Sequence, residues 1–310
     1  GKTGAPFGTA TLVDRGGLRS RVRIARMSGQ PYPGMQEDDP LKLDNWLAQR
    51  SQTCPDRVAL ISEDGPMSYS ELDEAAEHAA RRLVAFGVRR GATAAVTVRG
   101  TRDSVVLIHA LMKTGAVLLP LSPKLSLAER SEAVKSCGAI DLDDASKLTS
   151  TEADLPLLYE HDMDDVHCRI LTSGSSGAAH SVGLSYGNHL FSAMGSAFNI
   201  GVNPEDRWLC CLPLSHISGL SIVMRSVIYG TTMVLHDGFE TDAVGPAIER
   251  DRVSIISMVS TMLLRLIEED VDLSAPRAIL VGGGPVPRSA LETALSRGAS
   301  VIQTYGLTET

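Results

Sequence analysis

Residues 170–177 combine the residue types that bind phosphate. An apolar run over 166–171 leads into six residues that are all Thr, Ser or Gly, at 172–177. Glycine adopts backbone angles that are closed to other residues, and small hydroxyls add hydrogen-bond donors without bulk. Such a loop can turn several backbone N–H groups toward one anion. A flexible Ser/Gly linker has the same composition, but a second apolar run at 182–184 favours a fixed loop.

Two further loops, each after a predicted strand, contain residues that could bind a nucleotide. The glycines 282–284 come after an apolar run and would let a flat ring approach the backbone, although glycines also serve ordinary tight turns. Tyr305 could stack on a base or be a core tyrosine. Thr308 and Glu309 offer a hydroxyl and a carboxylate, which suit a phosphate and an Mg²⁺ ion. An exposed Thr-Glu pair without a ligand is the alternative.

Two residues between these loops could contact an organic acid. The segment 213–219 places His216 in an apolar setting after a strand, where it would line a substrate channel or be a satisfied core histidine. Arg225 lies in the otherwise apolar segment 220–227. A buried arginine needs a partner, and either a substrate carboxylate or an internal Asp or Glu would serve.

The elements that must position these residues alternate between strand and helix, which predicts an α/β fold with parallel sheets. We expect a first lobe over 41–140 and a second over 166–310. Ligands bind beyond the carboxyl ends of strands in such sheets, so the three loops of the second lobe predict one nucleotide pocket. Residues 141–165 carry nine acids and read as an irregular, solvated connector. Residues 1–40 read as an irregular leader and connector, with a net charge of +5 over 1–27.

Composition excludes several function classes. The net charge of −8 disfavours nucleic acid and anionic membranes as partners, and 4% aromatic residues disfavour a base-stacking platform. No apolar run reaches the length of a membrane span and no signal peptide opens the chain, so we expect a cytoplasmic protein. The five cysteines match neither a disulfide framework nor a zinc-site spacing. Cys210 and Cys211 read as small core residues.

Taken in order, these loops resemble the adenylate-forming superfamily of acyl-CoA synthetases, peptide-synthetase adenylation domains and luciferases. The superfamily's phosphate loop reads Thr-Ser-Gly-(Ser/Thr)-(Ser/Thr)-Gly-x-Pro-Lys-Gly, and residues 172–177 match its first six positions. Residues 282–284 match the adenine-side glycines, and 303–309 match the Tyr-Gly-x-Thr-Glu motif. Residues 110–120 resemble the Gly-Ala-x-x-x-Pro stretch of the first lobe. The resemblance implies two packed α/β lobes, followed by a small β-barrel and a mobile C-terminal domain.

One branch of the superfamily is most similar, the 2-succinylbenzoate–CoA ligases of menaquinone biosynthesis, through residues 186–189, 213–219, 224–230 and 259–262. The resemblance implies a small carboxylic acid, ATP with Mg²⁺, and coenzyme A as ligands. The carboxylate would attack the α-phosphate of ATP, and coenzyme A would then displace AMP from the acyl-AMP. A homodimer is compatible with this reading.

The same resemblance implies a role for each motif residue. The β- and γ-phosphates would be held by Thr172, Ser173, Gly174, Ser175, Ser176 and Gly177. Adenine would be bracketed by Gly283, Gly284 and Tyr305. Thr308 would contact the α-phosphate and Glu309 would bind Mg²⁺, both acting in catalysis. The acid would be faced by His216, Arg225 and Gly306, with His216 also catalytic.

The sequence departs from the superfamily pattern in two respects. Ala179-His180-Ser181 stands where the loop normally has Pro-Lys-Gly, which removes the loop lysine. The ribose-binding Asp and the catalytic lysine of the superfamily lie beyond residue 310, so we expect a fragment that is not fully active alone. An aryl- or fatty-acid–CoA ligase and a non-catalytic nucleotide- or acyl-binding protein are the alternatives.

Overall fold

A computed structural model describes residues 7–13, 19–25, 41–143, 152–153, 156–173 and 179–309. The chain divides into two compact units, Gly1–Leu41 and Lys42–Thr310. In the first unit, β1 (Phe7–Val13) pairs antiparallel with β2 (Arg19–Ala25). The predicted irregular leader is therefore wrong over these residues. The arginines at 19, 21 and 23 alternate with Ser, Val and Ile, and this two-residue period is typical of a strand.

The second unit contains two main sheets. Its strands are β3 (Lys42–Asp44), β4 (Val58–Ser62), β5 (Gly65–Ser68), β6 (Thr93–Thr97), β7 (Val117–Leu121), β8 (Ile140–Asp141), β9 (Glu160–Asp162), β10 (Val166–Ser173), β11 (Ala179–Ser185), β12 (Arg207–Cys210), β13 (Thr232–Leu235), β14 (Ile255–Val259), β15 (Ala278–Gly282) and β16 (Val301–Gln303). One sheet has the order β16-β15-β14-β12-β13-β4-β5, and the other β11-β10-β7-β6-β8. Neighbouring strands run parallel except at the β4–β5 and β10–β11 hairpins. The α/β prediction is confirmed.

The sheets do not follow the predicted lobe boundary. Strands β4 and β5 precede residue 140 but join the seven-stranded sheet, whereas β10 and β11 follow residue 165 but join the five-stranded sheet. The predicted connector also contributes β9, which pairs antiparallel with β3. Apolar runs identify strands, but they do not specify which strand lies beside which. Each main sheet therefore contains strands from both predicted lobes.

The helices are α1 (Trp46–Thr53), α2 (Tyr69–Phe86), α3 (Arg102–Thr114), α4 (Leu127–Ser136), α5 (Tyr186–Ile200), α6 (Ile217–Tyr229), α7 (Thr241–Arg250), α8 (Ser260–Glu268) and α9 (Arg288–Ser296). Helix α2 begins at Tyr69, directly after its N-cap. Ser68 is the N-cap and forms a capping box with Glu71. Gly87, in the left-handed region at φ 111°, ends the helix.

The largest of three hydrophobic clusters among the described residues joins residues of both sheets to the helices around them. It includes Leu118 of β7, Trp208 of β12 and Tyr69 of α2. The Tyr69 hydroxyl lies 2.8 Å from the carbonyl oxygen of Ser226 and 2.6 Å from that of Thr231. These contacts fix both ends of the turn that follows α6. Among the described residues, no helix has the length and hydrophobicity needed to cross a bilayer.

Candidate nucleotide and acid site

The carboxyl ends of β12, β14, β15 and β16 lie at one edge of the seven-stranded sheet. The strands are parallel, and Val259 pairs with Gly282 while Val281 pairs with Gln303. The segments that follow β12, β15 and β16 therefore leave the sheet at the same edge. They contain His216, the glycines at 283 and 284, and residues 304–309.

Close packing at this edge requires glycine at 282, the last residue of β15, and the backbone conformation favours glycine at 283. A Cβ on Gly282 would collide with the hydroxyl of Thr304, and Gly283 has a φ of 76° beside Val259. Thr304 is held there because its backbone N–H donates to the carbonyl of Val281 at 2.8 Å. Gly284 has open space where a side chain would stand. The backbone at Gly284 is thus accessible to a flat ligand.

The segment after β16 presents its side chains to solvent. Tyr305 is 90% exposed, so the alternative of a core tyrosine is wrong. Gly306 and Glu309 are also exposed, and Thr308 is half-buried. Glu309 forms no ion pair with another described residue. Its free carboxylate has the oxygen donors that Mg²⁺ prefers.

The Ser/Gly loop belongs to the other sheet. Strand β10 continues through Thr172 and Ser173, and β11 begins at Ala179, with Thr172 opposite His180. The Thr172 hydroxyl donates to the carbonyl of His180 at 3.3 Å. Gly174, Ser175, Ser176 and Gly177 lie outside the described residues. The strands on either side of the loop pair antiparallel with each other, so β10 and β11 form a hairpin. The prediction that it follows a strand of the second lobe's own sheet is wrong.

His216 is exposed, in contrast to the apolar setting that its sequence predicts. It is the N-cap of α6, and its carbonyl accepts hydrogen bonds from the N–H groups of Gly219 and Leu220. A Cβ on Gly219 would meet the backbone of Pro213, so the turn depends on that glycine. Arg225 is nine residues further along the same helix, about 13 Å from His216 at the usual helical rise. The two side chains do not contact each other.

Arg225 is largely enclosed by protein. Its Cζ lies 5.5 Å from the ring centroid of Trp208, and its Nη2 donates to the Ser192 hydroxyl at 3.1 Å. Nε is buried without a hydrogen-bond partner, and no described Asp or Glu forms an ion pair with the guanidinium. Burial lowers the pKa of Arg225, an effect that Tyr229 partly offsets. The alternative of an internal acid partner therefore fails among the described residues.

Trp208 and Ser192 are contacts that sequence reasoning missed. Ser192 lies on α5, 33 residues from Arg225, and no spacing rule connects two separate helices. Trp208 lies on β12, and its stacking under Arg225 follows only from the packing of α6 on that strand. Cys210 and Cys211 are buried, as predicted. Burial raises the pKa of the Cys210 and Cys211 thiols, that of Cys211 to about 12, and all five cysteines are free.

Comparison with known proteins identifies the family of this chain. Residues 47–310 match the model of the AMP-binding enzyme family. The chain belongs to the AMP-binding enzyme family. A curated relative, 2-succinylbenzoate–CoA ligase from Bacillus subtilis (strain 168), is 39% identical over 287 residues, which cover 86% of this chain and 59% of the relative. A second, from Bacillus licheniformis, is 37% identical over 291 residues. The chain spans about 60% of the length of the curated relatives it matches.

Solved AMP-binding enzymes share the fold. The o-succinylbenzoate CoA synthetase (MenE) from Bacillus subtilis in complex with the acyl-adenylate intermediate OSB-AMP has a TM-score of 0.82 at 37% identity, covering 87% of this chain and 60% of that one. The same enzyme in complex with ATP and magnesium ion has a TM-score of 0.80 at 38% identity, with 87% and 61% covered.

Proposed function

We propose that this chain provides the acid- and nucleotide-binding part of an ATP-dependent acid–CoA ligase that acts on 2-succinylbenzoate. In the first half-reaction, a carboxylate oxygen of the acid attacks the α-phosphorus of ATP, and pyrophosphate leaves to give the acyl-AMP. In the second, the sulfur of coenzyme A attacks the acyl carbon, and AMP leaves. The thiol proton goes to solvent.

The observation that carries the acid assignment is the guanidinium of Arg225. It is enclosed, stacked on Trp208 and bonded to Ser192, yet it has no acid partner among the described residues. An enclosed cation without a counter-ion is costly, and a guanidinium binds a carboxylate through two parallel hydrogen bonds. We assign Arg225 to the carboxylate that does not react. A dicarboxylic acid such as 2-succinylbenzoate has a second carboxylate to fill this position.

The nucleotide assignment rests on the loops at the two strand ends. Thr172 and Ser173, with Gly174, Ser175, Ser176 and Gly177, would bind the β- and γ-phosphates. The open backbone at Gly283 and Gly284 and the exposed ring of Tyr305 would bracket adenine. Thr308 would contact the α-phosphate, and Gly306 and His216 would border the acid. Glu309 would hold Mg²⁺, which supplies positive charge against the phosphates.

The names of the relatives support the choice of acid. Relatives at 39% and 37% identity are 2-succinylbenzoate–CoA ligases. The second candidate within the class is an aryl- or fatty-acid–CoA ligase. A non-catalytic nucleotide-binding protein is favoured by one observation, the Ala179-His180-Ser181 sequence beside the Ser/Gly loop.

Pyrophosphate release tests the proposal. The full-length protein is incubated with ATP, Mg²⁺ and one acid at a time, namely 2-succinylbenzoate, benzoate or a fatty acid. Release with 2-succinylbenzoate far above that with the other acids is expected. Release only with benzoate or the fatty acid would contradict the acid assignment. No release with any acid, together with ATP binding measured by calorimetry, would support the non-catalytic alternative.

A further inference from the structure

A group of metal-binding side chains lies in the core, apart from the residues assigned to ATP and the acid. His167, Cys168 and His189 are all buried, and one potential ligand atom from each lies within 4.8 Å of the others. Nδ1 of His167 is 3.0 Å from Nε2 of His189, and Sγ of Cys168 is 3.6 Å from the same nitrogen. Two imidazoles and a thiol are the donor set that suits Zn²⁺.

A break in the strand pairing explains how two consecutive residues reach one point. Side chains of successive strand residues normally point to opposite faces of a sheet. The pairing of β10 with β11 shifts register between Val166 and Cys168, so that His167 is an extra residue in β10. Such bulges re-aim side chains. The bulge directs His167 and Cys168 toward His189 in the first half of α5, a convergence that the spacing of these residues does not suggest.

The surroundings of the group are short of hydrogen-bond partners. Nε2 of His167, the hydroxyl of Tyr186 and Nδ1 of His109 are all buried without a partner. Tyr186 is close by, since its ring centroid is 5.2 Å from that of His167. Unsatisfied buried polar groups are rare in folded proteins and are often explained by a bound water or ion.

We propose that His167, Cys168 and His189 form a binding site for one Zn²⁺ ion. A tetrahedral zinc site has about 3.3 Å between two nitrogen ligands and about 3.6 Å between nitrogen and sulfur. The observed separations of 3.0 and 3.6 Å are close to these values. A water completes the tetrahedron.

The ion would have a structural role. It joins the beginning of β10 to α5, and β10 is the strand that leads into the Ser/Gly loop. Because the three ligands are buried, the ion must enter during folding or through local opening. Metal binding is then part of the folding free energy. This site stands independently of the proposed ligase reaction.

Metal content of the purified full chain is the first test. Mass spectrometry of protein produced with added Zn²⁺ should give about one zinc per chain. Cys168→Ala and His189→Gln should lose the metal. Cys210→Ala is the matched control, because Cys210 is equally buried but not part of the group, and it should retain zinc. Equal zinc content in all four proteins, or no zinc in the wild type, would overturn the site.

Refolding with Co²⁺ gives a second measurement that needs no ligand variant to fold. The wild type and Cys210→Ala, refolded from urea with Co²⁺, should show the near-ultraviolet charge-transfer band of a cobalt–thiolate bond. The visible bands of tetrahedral cobalt should accompany it. The wild type should also unfold at a higher urea concentration with Zn²⁺ than with a chelator. A refolded wild type without the charge-transfer band, and with the same urea midpoint in both conditions, would show that the three side chains only form hydrogen bonds.

Discussion

The guanidinium of Arg225 lies over the indole of Trp208, with its Cζ 5.5 Å from the ring centroid. The indole is itself fixed, because its Nε1 donates to the hydroxyl of Ser257 on β14 at 2.9 Å. A guanidinium held by a ring and by Ser192 has already lost much of its rotamer freedom. Binding a carboxylate then costs less conformational entropy than it would at a free arginine. The stacked arrangement therefore suits an anion-binding role.

A buried ion pair near α2 should be important for stability. Lys113 is fully buried, and its Nζ lies 2.7 Å from Asp73 and 3.3 Å from Glu77. Lys113→Met would leave the half-buried carboxylates of Asp73 and Glu77 without a cation, so we expect a loss of about 1–3 kcal/mol in the free energy of unfolding. Urea denaturation measures it. Lys42→Met, which breaks an exposed pair with Glu160, is the control and should cost less than about 1 kcal/mol. Equal losses in the two variants would contradict this prediction.

The buried histidine His109 should make the fold sensitive to acid. Burial, with a smaller effect of the Lys113 charge, lowers its pKa to about 3. The unfolded chain takes up a proton near pH 6.5 that the folded chain does not, so stability present above about pH 6.5 is lost as the pH falls. His109→Leu removes this linkage and an unpartnered Nδ1.

Urea denaturation at two pH values measures the effect of His109. Between about pH 7.5 and about pH 5, the wild type should lose about 2 kcal/mol more stability than His109→Leu. Both proteins are measured with a chelator present, so that bound metal does not contribute. An equal loss of stability in both proteins would show that protonation of His109 does not cause the pH dependence.

Substitutions at Gly282 and Gly284 should distinguish an effect on stability from an effect on ATP binding. Gly282→Ala pushes a methyl group into Thr304, and we expect a loss of about 1–3 kcal/mol in stability. Gly284→Ala meets open space, so its stability should change by less than about 0.5 kcal/mol. If adenine lies against this backbone, Gly284→Ala should still weaken ATP binding, by about fivefold or about 1 kcal/mol. Calorimetry with unchanged ATP affinity for Gly284→Ala would remove this residue from the proposed site.

Local patterns predicted the elements better than their arrangement. The sequence of α5 indicates where this helix begins, because Ser185 and Asn188 form a capping box. The sheet partners of β4 and β10 were not predictable, because the pairing of a buried strand depends on tertiary packing and not on its own apolar residues. The apolar pattern does not predict helix α4, although Ser126 and Glu129 form a capping box at its start. Its weak apolar stripe, with one buried residue at Ala133, explains why.

For the candidate site, the sequence predicted the loops at the strand ends but not the surroundings of His216 and Arg225. The order of the Gly-rich and Tyr-Gly loops after strands predicted that Gly283 and Tyr305 share one sheet edge, and the parallel register agrees. The exposure of His216 was not predictable, because the apolar residues around it pack away from its ring. The environment of Arg225 depends on Ser192 and Trp208, which come from other elements. Contacts of this kind arise only when α5, α6 and β12 pack together.

The measurement that tests the acid assignment most directly is the preference of the enzyme for a second carboxylate. In full-length protein, kcat/KM for pyrophosphate release is compared between 2-succinylbenzoate and an analogue that lacks the non-reacting carboxylate. The comparison is made in the wild type, in Arg225→Ala and in Arg265→Ala. Arg265 is the matched control because it also stacks on an aromatic ring, with its Cζ 5.4 Å from the ring centroid of Phe239. It lies on α8, whereas Arg225 lies on α6.

A charge-assisted hydrogen-bond pair contributes about 1.5–3 kcal/mol, so the wild type and Arg265→Ala should prefer the dicarboxylate by roughly 10- to 150-fold. Arg225→Ala should lose most of this preference, mainly through a higher KM for the acid and with little change in the KM for ATP. A preference that persists undiminished in Arg225→Ala would contradict the proposed role of Arg225.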